Sequence, residues 1–387
     1  CSGDGGDGGD GEDGGDGGNG GDGGDGGDGG DGSYHIGVSN FTSANPLEVI
    51  MTRSAEWWGE DRGHQVTTTA ADGTTSAQLS DIRNLLQQGV DAILMTTADS
   101  AGIASIVDEA GDQDVPVFTC DIPTYHEDVH LHTAISQTEF GYTTGQELVT
   151  TMRNQHDAET YKVLEILMDQ DNSNAVMRHR SFNDAIDEHD DVEVVKEIEI
   201  DGFSATDVQS KASAWFQTDP EFHGIGAPWF GGVIGCVQAM KQRDMLFAAG
   251  EDGHKSIVNM DGIPTVIDWV EEGIVDKIVD QPIRWYAIIS MKYLVDYMDA
   301  GKDESVLPEI GDTIEAGDLN LGEGTGNHLG NPIFDPPEPR WPPAEVVEFE
   351  TFGGEKLGFP MVRCDIPVVT QDNADNWWID GNLTREL

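Results

Sequence analysis

Positive charge is what this chain lacks most. Its 20 lysines and arginines stand against 73 aspartates and glutamates, a formal net charge of −53. Such a surface is repelled by a polyanion, which excludes nucleic acid as a partner. The imbalance bears on solvation and partners, not on fold. Cysteine is also sparse: Cys1, Cys120, Cys236 and Cys364 lie far apart and form no CxxC pair. That excludes a zinc ribbon or a redox dithiol, and buried thiols are the expectation for the last three. No apolar run is long enough to cross a bilayer. Apolar side chains are missing altogether from residues 2–32, a Gly-Gly-Asp repeat. A segment that can bury nothing is expected to remain a disordered acidic tether, with a span on the order of 30 Å. It also lacks the apolar residue that each repeat of a calcium-binding roll requires.

What is present begins at Cys1. A leading cysteine followed by small residues has the form of a lipoprotein after loss of its signal peptide, with a lipid on Cys1 as the membrane anchor. Acidic residues run through every segment while lysine stays scarce, which resembles the surfaces of proteins from extreme halophiles, where salt screens the repulsion. N-glycosylation patterns occur at Asn40 and Asn382, the second near a terminus and the better acceptor.

From Tyr34 onward short apolar runs alternate with amphipathic ones. "YHIGVSNF", "HQVTTTAA", "VDAILMTTA", "VPVFTCDI" and "VHLHTAIS" read as strands, with helices over 46–62, "TTSAQLSDIRNLLQQG" and 100–110 between the first four. The pattern then restarts with helices over 138–154, 174–189, 204–217 and 231–242 between further strands, and a long helix near 284–300. Alternation of this kind predicts an α/β fold of two doubly wound parallel-sheet lobes joined by a hinge, with a ligand cleft between them. The expected division assigns 1–32 to the tether and 33–136 plus 281–305 to an N-terminal lobe. A C-terminal lobe takes 137–280 plus 306–387, with a Pro-rich insertion near 331–343. In such sheets ligands bind outside the carboxyl ends of the strands.

One motif points elsewhere. His126, Glu127 and His130 spell H-E-x-x-H, the zinc-protease signature. That chemistry needs both histidines one turn apart on one helical face. Here Pro123 precedes the motif and an alternating, strand-like run follows, so no helix fits. The match is read as accidental: neither a metal, a cofactor nor a catalytic residue is expected.

With the strand ends marked, the chain resembles the type I periplasmic sugar-binding proteins, the ribose- and galactose-binding group of ABC importers, in a halophilic archaeal lipoprotein form. The similarity is carried by "IGVSNFTSANPLEVIM", "AQLSDIRNLLQQGVDAILMTTADS", "VPVFTCDI", "VNMDG", "IVDQP" and "IPVVTQDNADNWW", in that order. It implies that Asn45, Asp121, Asp261 and Gln281 bind ligand, as their positions do in the family. Arg178 fits the family's spacing to Phe182, and Trp229 follows a strand where the family places an amide or a stacking group. Phe41 and Trp285 are further stacking candidates. The physical case stands beside this. A sugar presents hydroxyls and an apolar C–H face, which calls for carboxylates, amides, guanidinium groups and aromatic rings at strand ends. Each residue also has a local role open to it: Asn45 can cap the helix that Pro46 opens, and Asp261 can form a turn before Gly262.

Departures from the family are specific. Ile122 replaces the usual arginine after the fourth-strand aspartate, Val176 replaces a sugar-binding arginine, and Trp229-Phe230 replaces Asn-Asp. The expectation is a lipid-anchored, monomeric solute-binding protein on the outer face of the membrane that delivers a monosaccharide to an ABC permease. The same fold could take a furanose signalling molecule of the autoinducer-2 type, a nucleoside or a polyol. A cleft hydrolase lacks a nucleophile elbow. A repressor of this fold would need a basic helix-turn-helix where the acidic tether stands.

Overall fold

The computed structural model describes residues 32–168, 170, 172–315, 319 and 344–374. Cys1, the tether, the Pro-rich insertion and Asn382 lie outside the described residues.

The first half lays down β1 (His35–Asn40), α1 (Pro46–Asp61), β2 (Gln65–Ala70), α2 (Thr75–Gln87), β3 (Ala92–Met95), α3 (Ser105–Gly111), β4 (Val117–Cys120) and β5 (Val129–Ile135). The second half repeats the rhythm with α4 (Gln137–Gln155), β6 (Tyr161–Leu167), α5 (Ser173–Asp187), β7 (Val192–Glu199), α6 (Ala205–Phe216), β8 (Gly224–Ala227), α7 (Phe230–Lys241), β9 (Ser256–Met260), α8 (Pro264–Glu271) and β10 (Lys277–Val279). The chain then forms α9 (Ile283–Asp299), β11 (Thr313–Ile314), β12 (Ala344–Glu350), β13 (Lys356–Cys364) and β14 (Val368–Val369). An eight-stranded sheet runs in the order β11-β12-β13-β5-β4-β3-β1-β2, and a six-stranded sheet in the order β14-β10-β9-β8-β6-β7. Both are parallel except at one edge, where β11, β12 and β14 pair antiparallel with their neighbours.

Local chemistry sets the helix starts that matter for the site. Asn45 caps α1, accepting from the Leu47 amide at 3.0 Å, and Pro46 supplies a preformed φ in the first turn. Ser136 caps α4 by accepting from the Glu139 amide at 3.1 Å, at the place where the chain leaves the first sheet for the second. The central strands β3 and β4 are buried along their whole length, as parallel strands covered on both faces must be.

The tail departs from the expected division. The strands β11, β12 and β13 join the first sheet rather than the C-terminal lobe, because β13 pairs in parallel with β5 and carries β12 and β11 outward. Without them the edge of β5 would present unpaired backbone groups. Phe349 and Phe359 stack with ring centroids 4.8 Å apart and bury with Val129 and Val117, which adds an apolar reason for the docking. Among the described residues of the tail, β14 alone pairs with the second sheet. Among the described residues the chain therefore passes between sheets three times, near 136, 281 and 366, and α9 packs on the first sheet against α1.

Candidate functional site

Strand ends from both sheets converge on one interlobe cavity. From the first lobe Phe41 and Asn45 reach it beyond β1, and Asp121 directly after β4. The second lobe contributes Arg178 from α5, Trp229 after β8 and Asp261 after β9, while Gln281 stands at the second passage between sheets. These seven are the residues the sequence nominated, less one. Trp285 does not line the cavity. It lies on the buried face of α9, 6% exposed, in the core formed with α1 and β4. An aromatic soon after a strand end suits stacking, but helical phase turns this one inward.

The cavity is held by a buried polar chain. Tyr286 donates its hydroxyl to Gln281 Oε1 at 3.1 Å, and Gln281 Nε2 donates to Asp261 Oδ1 at 2.6 Å. Arg178 Nη1 donates to Asp261 Oδ2 at 3.4 Å and to the Pro228 carbonyl at 2.7 Å, while its Nε donates to Gln137 Oε1 at 2.7 Å. The Phe140 ring lies under the guanidinium at 4.7 Å. Gln137 and Gln281 sit at two of the three passages between sheets, so the chain links the ligand wall to the hinge. Asp121 and Asp261 both adopt left-handed backbone, with φ of 58° and 69°. Aspartate tolerates that region better than most residues, and it aims both carboxyl groups off the strand ends into the cleft.

Glu48 completes the site, and sequence reasoning missed it. It occupies the first turn of α1, 2% exposed, and lines the cavity beside Asp121. Burial pushes its carboxyl well above the usual range, and the neighbouring Asp121 carboxyl pushes it further. Burial also raises Asp121, to about 6, against the lowering influence of Arg178. Asp261 is raised by burial as well, with Arg178 and the Gln281 bond holding it down. Asn172, Asn174 and Phe203 were missed too. The two asparagines precede or open α5 and Phe203 follows β7, at loop ends where the strand-end rule could have found them.

Four polar atoms on this wall are buried with no protein partner: Glu48 Oε2, Asp121 Oδ1, Asn174 Oδ1 and Trp229 Nε1. Buried polar groups are rarely left so. More capacious solvent-open grooves of ≈ 800 and ≈ 810 Å³ lie along the appended strands, and the second extends between the lobes to Asp121 and Asn174 of the cavity wall. The interlobe cavity is much smaller, ≈ 40 Å³. Convergence of unsatisfied polar atoms, rather than size, marks it as the site. Admitting a sugar-sized guest requires the two walls to part.

Comparison with known proteins agrees with this geometry. The periplasmic binding protein domain family matches residues 36–303. The chain belongs to that family. Among curated members it is similar to the ribose import binding protein RbsB of Bacillus subtilis, at 39% identity over 88 residues. That stretch is 23% of this chain and 29% of the relative, so the match spans under a third of that protein's length. Among solved structures this periplasmic binding protein resembles a solute-binding protein of Actinobacillus succinogenes with bound D-allose. The TM-score is 0.67 at 15% identity, covering 89% of this chain and 100% of that one. A solute-binding protein of Bacillus halodurans with bound myo-inositol gives 0.67 at 16% identity, covering 91% and 99%. At such identities these likenesses show the fold alone, and the two parallel-sheet lobes are those of the type I architecture. These relatives are named as binding proteins, not enzymes.

The H-E-x-x-H residues are placed accordingly. No helix carries them: His126 lies in the loop before β5 and His130 within that strand. His126 Nε2 is 3.3 Å from Asp108 Oδ1, while the His130 ring lies tilted against Tyr297 with centroids 4.7 Å apart. The two histidines face different neighbours. Cys120, Cys236 and Cys364 are buried free thiols.

Proposed function

We propose that this periplasmic binding protein captures a neutral sugar in the interlobe cavity, on the outer side of a membrane to which a lipid on Cys1 tethers it. It then hands the sugar to an ABC permease. The observation that carries this reading is the set of four buried, unpartnered polar atoms on walls from both lobes. Hydroxyl groups donate and accept at once, so a polyhydroxylated guest satisfies Glu48, Asp121, Asn174 and Trp229 together, while Phe41 and Trp229 offer faces to its C–H side. Neighbours of the same fold hold D-allose or myo-inositol. Groups on both lobes bind the guest better when the lobes are closed, so the guest shifts the hinge toward closure. The Arg178–Gln137 and Asp261–Gln281 bonds extend that coupling to the passages between sheets.

Titration calorimetry with D-ribose, D-allose, L-arabinose, D-galactose and myo-inositol, in high salt to screen the surface charge, tests the reading. Saturable one-to-one binding of a sugar is expected; no heat from any of them overturns it. One observation favours a polyol or nucleoside in place of a simple pentose. Ile122 lines the cavity where the resemblance implies an arginine. Native mass spectrometry of protein purified from its own host would reveal a co-purified solute of that kind. Metabolic labelling with a radioactive lipid precursor, lost in a Cys1→Ser variant, tests the anchor.

A further inference from the structure

Glu48 has no assigned role, and its placement is costly. It is 2% exposed, Asp121 is 6% exposed, and their side chains meet within hydrogen-bonding distance at the cavity wall. Glu48 Oε2 and Asp121 Oδ1 have no donor from the protein. Two ionised carboxylates at that distance, away from water, repel strongly. A single shared proton removes the repulsion and turns two acceptors into a bonded pair.

The surroundings set the charge balance. Arg178, from α5, faces Asp121 and Asp261 and bonds only the latter. Asp261 approaches from the end of β9 and adds negative charge. Cys120 on β4 and Tyr286 on α9 are neutral, both raised well above their ordinary values by burial, and Cys364 behind Tyr286 likewise. The Asn40 side chain on β1 donates to the Glu48 carbonyl at 2.8 Å and to Thr52, and it also bonds the Glu48 carboxyl, the one neighbour that draws that group down. One guanidinium thus faces two of the three carboxyl groups, Asp121 and Asp261.

We propose that Glu48 is a specificity-determining residue of this cleft: its carboxyl group and that of Asp121 hold one proton between them and meet the solute as a joined donor and acceptor. The proposal rests on the solute-capture reading above and deepens it. A guest hydroxyl inserts into the pair: it takes over the hydrogen bond from the acid and gives its own to the carboxylate, a match for a neutral polyhydroxylated solute. An anionic sugar acid would meet uncompensated negative charge. Solute affinity then follows the proton. It falls at low pH, when both groups are protonated and the charged acceptor is lost. It falls again at high pH, when the shared proton leaves, by up to tenfold per pH unit for one linked proton.

Two measurements separate this from the reading it rests on. Infrared difference spectra of the solute-free protein at pH 7, with ¹³C-glutamate labelling, should contain a protonated-carboxyl stretch that shifts with the label and is missing in Glu48→Gln. Absence of such a band in the wild type overturns the shared proton whether or not any sugar binds. Calorimetric affinities for D-ribose, D-allose and myo-inositol across pH 5–9 should trace a bell in the wild type. The alkaline limb should vanish in Glu48→Gln and the acidic limb in Asp121→Asn. A Glu48→Gln profile with the wild-type alkaline limb overturns the proposal. No binding by the wild type at any pH overturns the solute reading, and with it Glu48's role in specificity.

Discussion

The packing of α4 on α5 supports the ligand wall and can be tested by one methyl group. At Gly141 an added Cβ would lie 2.2 Å from the Arg178 carbonyl oxygen and 2.2 Å from Ser181 Oγ. Ordinary contact begins near 3.4 Å, so Gly141→Ala requires α5 to retreat by about 1.2 Å, since a backbone carbonyl cannot rotate aside. Overpacking of this kind costs roughly 1–3 kcal/mol. At about 2–4 °C per kcal/mol for a folding unit of this size, the midpoint of that range lowers Tm by roughly 4–8 °C. The carbonyl belongs to Arg178, so its guanidinium shifts with the helix and strains the bonds to Gln137 and Asp261. Thermal unfolding followed by circular dichroism gives the stability change, and calorimetry with whichever sugar binds gives the affinity change. Gly111→Ala is the control, since nothing lies within 4 Å of its added Cβ. If Gly141→Ala matches the wild type in both Tm and affinity, the close approach of the two helices does not position Arg178.

Three further outcomes are expected. Arg178→Met leaves Asp261, 4% exposed, without its cation. The loss should be about 3–5 kcal/mol by denaturant titration, smaller at acidic pH where Asp261 takes up a proton. His132 is buried and its pKa is pulled down to about 3, mainly by burial. The unfolded chain binds a proton there near pH 6.5 and the folded one does not, so this residue costs about 2 kcal/mol of stability between pH 7 and 5. Asp121, raised to about 6, acts in the opposite sense over part of that window. The check is therefore the difference between wild type and His132→Phe, whose pH slope should be shallower. Removal of residues 344–387 uncovers the β5 edge and should cause concentration-dependent association, read by light scattering.

The two-lobed architecture was legible because several helices carry their own punctuation. Asn45-Pro46, Thr74 and Ser136 mark starts, and Gly89 closes α2 in the left-handed region. The strand-end rule and the family resemblance together nominated eight side chains, and seven of them line one cavity. What it missed has physical causes. Glu48 in a first helical turn reads locally as a favourable partner of the helix dipole, and nothing nearby announces that Asp121, 73 positions later, will face it. Trp285 follows a strand end closely, but it already sits within α9, where phase rather than proximity decides direction. The tail was misplaced because the partner of a strand is not written in its own residues. Gly358 at φ 84° and Pro360 give β13 the look of an irregular loop, yet β5 offers it a parallel edge.

Among the described residues three separate strands of chain join the two lobes, and that number has a mechanical consequence. One link would let the halves swivel, and two would leave them free to twist about the line between the links. A third link restricts that twist and leaves a swing of one half toward the other as the main relative movement. A permease that meets this protein would then encounter one repeatable outline in the shut form, whatever solute shut it.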